Sequence, residues 1–201
     1  MSYQDTPNIS FSRSVLVGLG IAVVGYALVA AFGNVVDVQG ASNSESFGDA
    51  AAAAGNRLRL ALLFDLAVFV PGYLLTVWRW SRWRVQSLPS SGRTAAFATP
   101  SRSAASACWL YRLAPLLIAI AAIADVAENC FVYLGLGTVD LSDAAAAMMV
   151  APPPPLIALL RVAAAAKWLA VALALLSLIA AGAGELLARR QPRLQKPNEV
   201  S

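Results

Sequence analysis

The sequence predicts an all-α, polytopic membrane protein built as a four-transmembrane-helix bundle, and three observations predict it. Of 201 residues, 59% are hydrophobic and only 13% charged, about half the charged share of an ordinary soluble domain, and the mean hydropathy is +0.65. Apolar runs with few charges recur at about 14–32, 58–78, 113–137 and 160–188, each long enough to cross a bilayer core about 30 Å thick. The basic residues gather in segments between these runs instead of spreading along the chain, as the positive-inside rule requires.

The chain divides accordingly into a polar N-terminus (1–13), a four-helix transmembrane domain (14–189) and a polar tail (190–201) with two prolines that reads as disordered. The first run has no charge and follows Arg13. A signal peptide competes for it, but its apolar region exceeds the usual 7–15 residues, so a retained helix is expected. Gly18, Ala22 and Tyr26 share one helical face, as do Gly18 and Gly25, which lets another helix approach closely. Residues 33–56 read as a polar linker, with one or two helical turns at Ala50 to Ala54.

The second run carries Asp65 and Pro71, and the proline predicts a kink with a carbonyl released from its usual bond. Trp78, Trp80 and Trp83 then interleave with Arg79, Arg82 and Arg84. Beside a membrane span, such alternation is an interfacial anchor facing anionic headgroups, not a nucleic-acid surface. The four prolines at 152–155 read as a stiff polyproline II spacer of about 12 Å that also fixes the start of the last helix.

Orientation follows from loop charge. The connection after the second run holds Arg79, Arg82, Arg84, Arg93 and Arg102 and no acid, whereas the first and third hold Asp37, Glu45, Asp49, Asp140 and Asp143. Both termini and the middle loop are therefore expected in the cytoplasm, with Arg57, Arg59 and Arg161 as the minority against it. Thirteen arginines against two lysines, with abundant alanine, suggest a GC-rich bacterial genome and hence a bacterial cytoplasmic membrane.

The third run is interrupted by Asp125, Glu128 and Asn129, at i, i+3 and i+4 on one helical face. Inside a membrane, ionisable side chains are costly and mark a partner or a cavity. With the second and fourth helices entering from outside, Asp65 and Lys167 fall at comparable depth in the outer half, at 1.5 Å rise per residue. Asp65, Asp125, Glu128, Asn129 and Lys167 are thus the candidate ligand- or ion-binding residues, with Tyr26 and Tyr133 near enough to join. Lys167 can equally snorkel to the interface and stay unpaired.

Three readings of this cluster compete. It binds or transports a cation, a proton or a small molecule; or it only fixes helix packing in a structural or accessory subunit; or Asp125 or Glu128 serves as general acid/base in an intramembrane enzyme. No histidine, nucleophile elbow or phosphate loop supports the enzyme, and no catalytic residue is assigned. No cofactor is identifiable. Oxygen ligands alone would suit Ca²⁺ or Mg²⁺ and argue against Zn²⁺. Cys108 and Cys130 on one helix would stand about 33 Å apart, too far for a disulfide. Ser177 is expected to bond its own helix backbone, and Glu185 to form a surface pair with Arg189 one turn on. The expected partners are the lipid bilayer and, through the small-residue faces, a second copy or a partner membrane subunit.

The pattern FDLAVFVPGYLL (64–75), taken with ADVAEN (124–129), resembles uncharacterised bacterial four-helix integral membrane proteins that carry an Asp in the second helix and Asp-x-x-Glu-Asn in the third. The resemblance covers two of the four runs. It implies a small polytopic protein with Asp65, Asp125, Glu128 and Asn129 as its site, and supplies no activity.

Overall fold

The computed structural model describes residues 9–32, 35–88, 102–137, 146 and 149–190. Among them there is no strand, and four helical segments are long and apolar enough to cross a membrane. The protein is all-α.

Helix α1 (Ile9–Phe32) packs against the second span, whose three parts run without a break: α4 (Arg57–Phe64), a π-helical turn (Asp65–Phe69) and α5 (Val70–Ser87). The close approach expected of the small-residue face is present. A Cβ placed on Gly25 would lie 2.7 Å from the Phe69 backbone, and one on Gly72 would lie 2.5 Å from the Ala22 nitrogen. Gly18 faces Thr76 in the same seam. Hydrogens on these alpha carbons let the two backbones meet, which is how apolar helices associate without a hydrophobic driving force.

The π-helical turn is the local consequence of Pro71. Proline has no N–H to give to the carbonyl four residues back, and its ring crowds that carbonyl. The chain widens by one residue just before it, and the Val70 N–H reaches the Asp65 carbonyl five residues back. The expected disturbance is therefore a widened turn that begins at Asp65.

Between the first two spans lie α2 (Val35–Gln39) and α3 (Ser44–Ala54), so the segment expected to be a polar linker is an ordered cover. Asn43 caps α3: its side chain accepts from the Ser46 N–H while Ser46 answers the Asn43 backbone, the reciprocal arrangement that satisfies free helix-end donors. Val35, Val38, Phe47 and Ala51 are buried with Leu58, Leu62, Val132, Leu136, Ile157 and Leu160 in one apolar core. Gly135 admits the Phe47 ring, which would stand 2.9 Å from a Cβ there. Ser44 Oγ donates to the Pro152 carbonyl at 2.6 Å and joins this cover to the start of the last span.

The remaining spans are α6 (Arg102–Leu136) and α7 (Pro154–Arg190), which make the most extensive packing in the bundle. Helix α6 begins about three turns before the expected Leu113. Its early residues are rich in alanine, a strong helix former, and Ala107 and Tyr111 are buried. Pro115 lies inside it. At its far end Gly137 takes a left-handed φ of +55°, a conformation glycine adopts without cost. Its carbonyl accepts from Arg59 Nη2 at 3.2 Å. The expected four-proline spacer is halved, because Pro154 and Pro155 form the first turn of α7, where a missing N–H costs nothing. The second span likewise runs on to Ser87 instead of ending at Trp78. The tail 191–201 and most of the two loops 89–101 and 138–148 lie outside the described residues.

Large apolar side chains cover the outward faces. Leu16, Val17, Leu19, Val23 and Val24 of α1 and Leu169, Leu173, Leu176 and Ile179 of α7 are all exposed. A surface of this extent requires lipid or another protein against it.

Candidate functional site

The polar stripe of α6 faces inward. Asp125, Glu128 and Asn129 are all buried, and Ala121, Ala122 and Val132 on the same side are buried with them. Asp65 is buried at the first position of the widened turn. Lys167 comes from α7, whose Ala163, Ala170 and Ala174 are also buried, so small side chains bring the lysine helix close to the acidic one.

Two hydrogen-bonded groups result. In the first, Lys167 Nζ donates to Asp125 Oδ1 at 3.0 Å and pairs with the Glu128 carboxylate. Tyr73 OH donates to Asp125 Oδ2 at 3.3 Å. In the second, Asn129 Nδ2 donates to Asp65 Oδ2 at 2.5 Å, and its Oδ1 accepts from Gln39 Nε2 at 3.0 Å. The cluster thereby ties α2, the second span, α6 and α7 together. Lys167 is paired and does not snorkel. Its side chain is 13% exposed against 5% and 1% for its partners, and buried ions need such geometry to offset their desolvation.

A cavity of about 330 Å³ opens beside the cluster. Asp65, Asp125, Lys167 and Gln39 contribute its polar wall, and Phe69, Tyr73 and Trp168 its aromatic one. Val29, Val35, Ile118 and Val171 make the rest largely apolar. Tyr26 lines the rim, 63% exposed, with its ring 6.1 Å from that of Phe69. Glu128 stands behind the ion pair and does not line this cavity, and Asn129 faces a second hollow beside Leu62 and Tyr133. Tyr133 does not join the cluster; it is 57% exposed and lines that second hollow. Among the described residues, no three His, Cys, Asp or Glu side chains are grouped to hold a metal ion. Lys167 fills the place between two of the carboxylates that a bound cation would take.

Sequence reasoning named every acidic member and missed Gln39 and Tyr73. Gln39 lay in what read as a linker; the signal was the apolar triplet Val35, Val36 and Val38 beside it, which marks a segment seeking burial. Tyr73 follows Asp65 by eight residues, a spacing that keeps two side chains on nearby faces of a helix.

A second polar centre occupies the arginine-rich end. Glu185, expected as a surface partner of Arg189, is only 4% exposed and binds Arg84 Nη2 across the bundle at 2.7 Å. The Arg189 side chain lies outside the described residues. Tyr111 OH donates to the same Glu185 oxygen at 3.2 Å. The Arg84 guanidinium also sits 5.9, 5.4 and 5.7 Å from the ring centres of Trp80, Trp83 and Tyr111, within cation–π range. Cys108 and Cys130 are unpaired thiols, and Ser177 Oγ donates to the Leu173 carbonyl of its own helix at 2.8 Å.

Fold and site define a class: an all-α protein with four helices able to cross a membrane and a buried carboxylate–amide–lysine cluster between them. No family model matches the chain, and neither a curated protein nor a solved structure matches it.

Proposed function

We propose that this chain is a multi-pass protein of a bacterial cytoplasmic membrane, with both termini inside, that binds or moves a small amphipathic molecule carrying a cationic head. One observation carries this reading. The 330 Å³ cavity is apolar and aromatic except where Gln39, Asp65, Asp125 and Lys167 meet it, and its acids outnumber its one ammonium. The cluster holds three carboxylates and one ammonium, which pairs with two of them, so with all groups ionised it has an excess of two negative charges. A cationic head between Asp65 and Asp125 would reduce that excess, and the rings of Phe69 and Tyr73 suit a cation's face-on contact, as the Trp168 ring already serves Lys167 Nζ at 5.7 Å. The apolar body would occupy the valine-lined part of the cavity.

The test is thermal stability in detergent against a series of alkyl- and arylammonium compounds, with matched neutral and anionic amphiphiles, divalent cations and a range of pH. Cationic amphiphiles should raise the midpoint of wild type, and Asp65→Asn or Asp125→Asn should abolish the gain. Equal response of wild type and both variants to every compound would remove the proposal.

A second reading has its own support. Each acidic side chain of the cluster already has a protein partner, and the bonds join three spans to the cover. A structural or accessory subunit would need no more. Its apolar outer faces then suit a second copy or a partner membrane subunit, and the variants would lose stability equally under every condition.

A further inference from the structure

A groove of about 450 Å³ lies between α5 and α6 at the arginine-rich end, remote from the carboxylate cluster. Its polar rim is formed by Arg82 and Gln86 of α5 and Arg112 of α6. Both arginines are exposed, and among the described residues neither has a carboxylate within ion-pair distance. Arg84, two residues beyond Arg82, is by contrast committed to Glu185. The groove's other wall is apolar, with Trp78 and Leu116 along it.

Ser81 is the second, independent observation. It is 1% exposed, lines this groove, and its Oγ is buried without a hydrogen-bond partner. Hydroxyls inside helices ordinarily bond the carbonyl four residues back. Thr76 does so to Gly72 and Ser177 to Leu173, both at 2.8 Å. Ser81 does not, so its buried hydroxyl at the base of the groove is left with an unmade bond, which is costly.

We infer that this groove binds the phosphate headgroup of an anionic phospholipid. Arg82 and Arg112 grip the phosphate oxygens, Ser81 donates at the base, and an acyl chain lies along Trp78 and Leu116. Guanidinium forks match phosphate geometry, and basic pockets between membrane helices are suited to acidic headgroups. The inference is independent of the cavity at Asp65 and Asp125.

The test uses full-length protein in a neutral detergent, titrated with phosphatidylglycerol, phosphatidylcholine or soluble glycerol phosphate, with thermal stability and lipid retention by native mass spectrometry as readouts. Phosphatidylglycerol should bind at least tenfold more tightly than phosphatidylcholine. Arg82→Gln combined with Arg112→Gln should erase that preference, and Ser81→Ala should weaken binding about fivefold, the worth of one hydrogen bond. Arg79→Gln removes a neighbouring arginine that does not line the groove and should leave binding intact. An equal loss in Arg79→Gln would show diffuse charge attraction and overturn the site. Stabilisation by glycerol phosphate as strong as by phosphatidylglycerol would overturn a lipid as the occupant. Undiminished preference in the double variant would overturn the inference outright.

Discussion

Lys167 on the last span donates to Asp125 on the third at 3.0 Å, and the same ammonium pairs with Glu128 one turn further along. One cation thus bridges two helix positions and fixes both the register and the rotation of α7 against α6.

Replacing Lys167 by Met should therefore be severe. It leaves two carboxylates buried without their counter-charge, a loss of about 3–5 kcal/mol when one partner of a buried pair is removed. Adding Asp125→Asn and Glu128→Gln to Lys167→Met should recover much of the stability. Unfolding in mixed micelles of a mild and a denaturing detergent measures both, and a triple variant no more stable than Lys167→Met would contradict the pairing.

Asn129→Leu strands two partners at once, since Asp65 loses a donor and Gln39 an acceptor. Each buried group left unsatisfied costs about 1–3 kcal/mol. Gln39→Leu should cost less in global stability but loosen the cover. Faster hydrogen exchange in α2 and α3 than in α6 would report it.

The seam between α1 and α5 should reject side chains. Gly72→Val must push α1 away, because the first added carbon already meets the Ala22 backbone at 2.5 Å, and overpacking of this kind costs about 1–3 kcal/mol. Gly20→Val is the control, with nothing within 4 Å of its added carbon. Cysteine cross-linking between the two helices should fall for the first variant and persist for the second.

Arg84→Gln should destabilise the arginine-rich end by about 2 kcal/mol, between exposed and buried ion pairs, since Arg84 is 25% exposed and Glu185 5%. It also removes the guanidinium from the rings of Trp80 and Trp83. Tryptophan emission should therefore shift in Arg84→Gln but not in Arg79→Gln.

The sequence alone determined the class of fold and the acidic members of the site. Apolar runs of about 20 residues can bury their backbone polar groups in lipid only as helices, so the four helices were written in composition. Asp65, Asp125 and Glu128 were legible because charges within such runs are too costly to be incidental. The seam of Gly18, Ala22 and Gly25 was legible for a similar local reason, in that small residues at helical spacing form a flat face.

Tertiary structure decided how these parts meet. Whether Lys167 snorkels or pairs depends on the rotation of α7 against α6, which no local pattern specifies. Gln39 became a member of the cluster only because the segment after α1 folds back over the bundle, where its valines and Phe47 gain burial against Leu58 and Leu136. Glu185, expected at the surface, is buried and bound to Arg84 across the bundle, a contact that spacing along its own helix does not specify. Side chains distant in sequence interact once packing sets their separation, and packing is a property of several helices together.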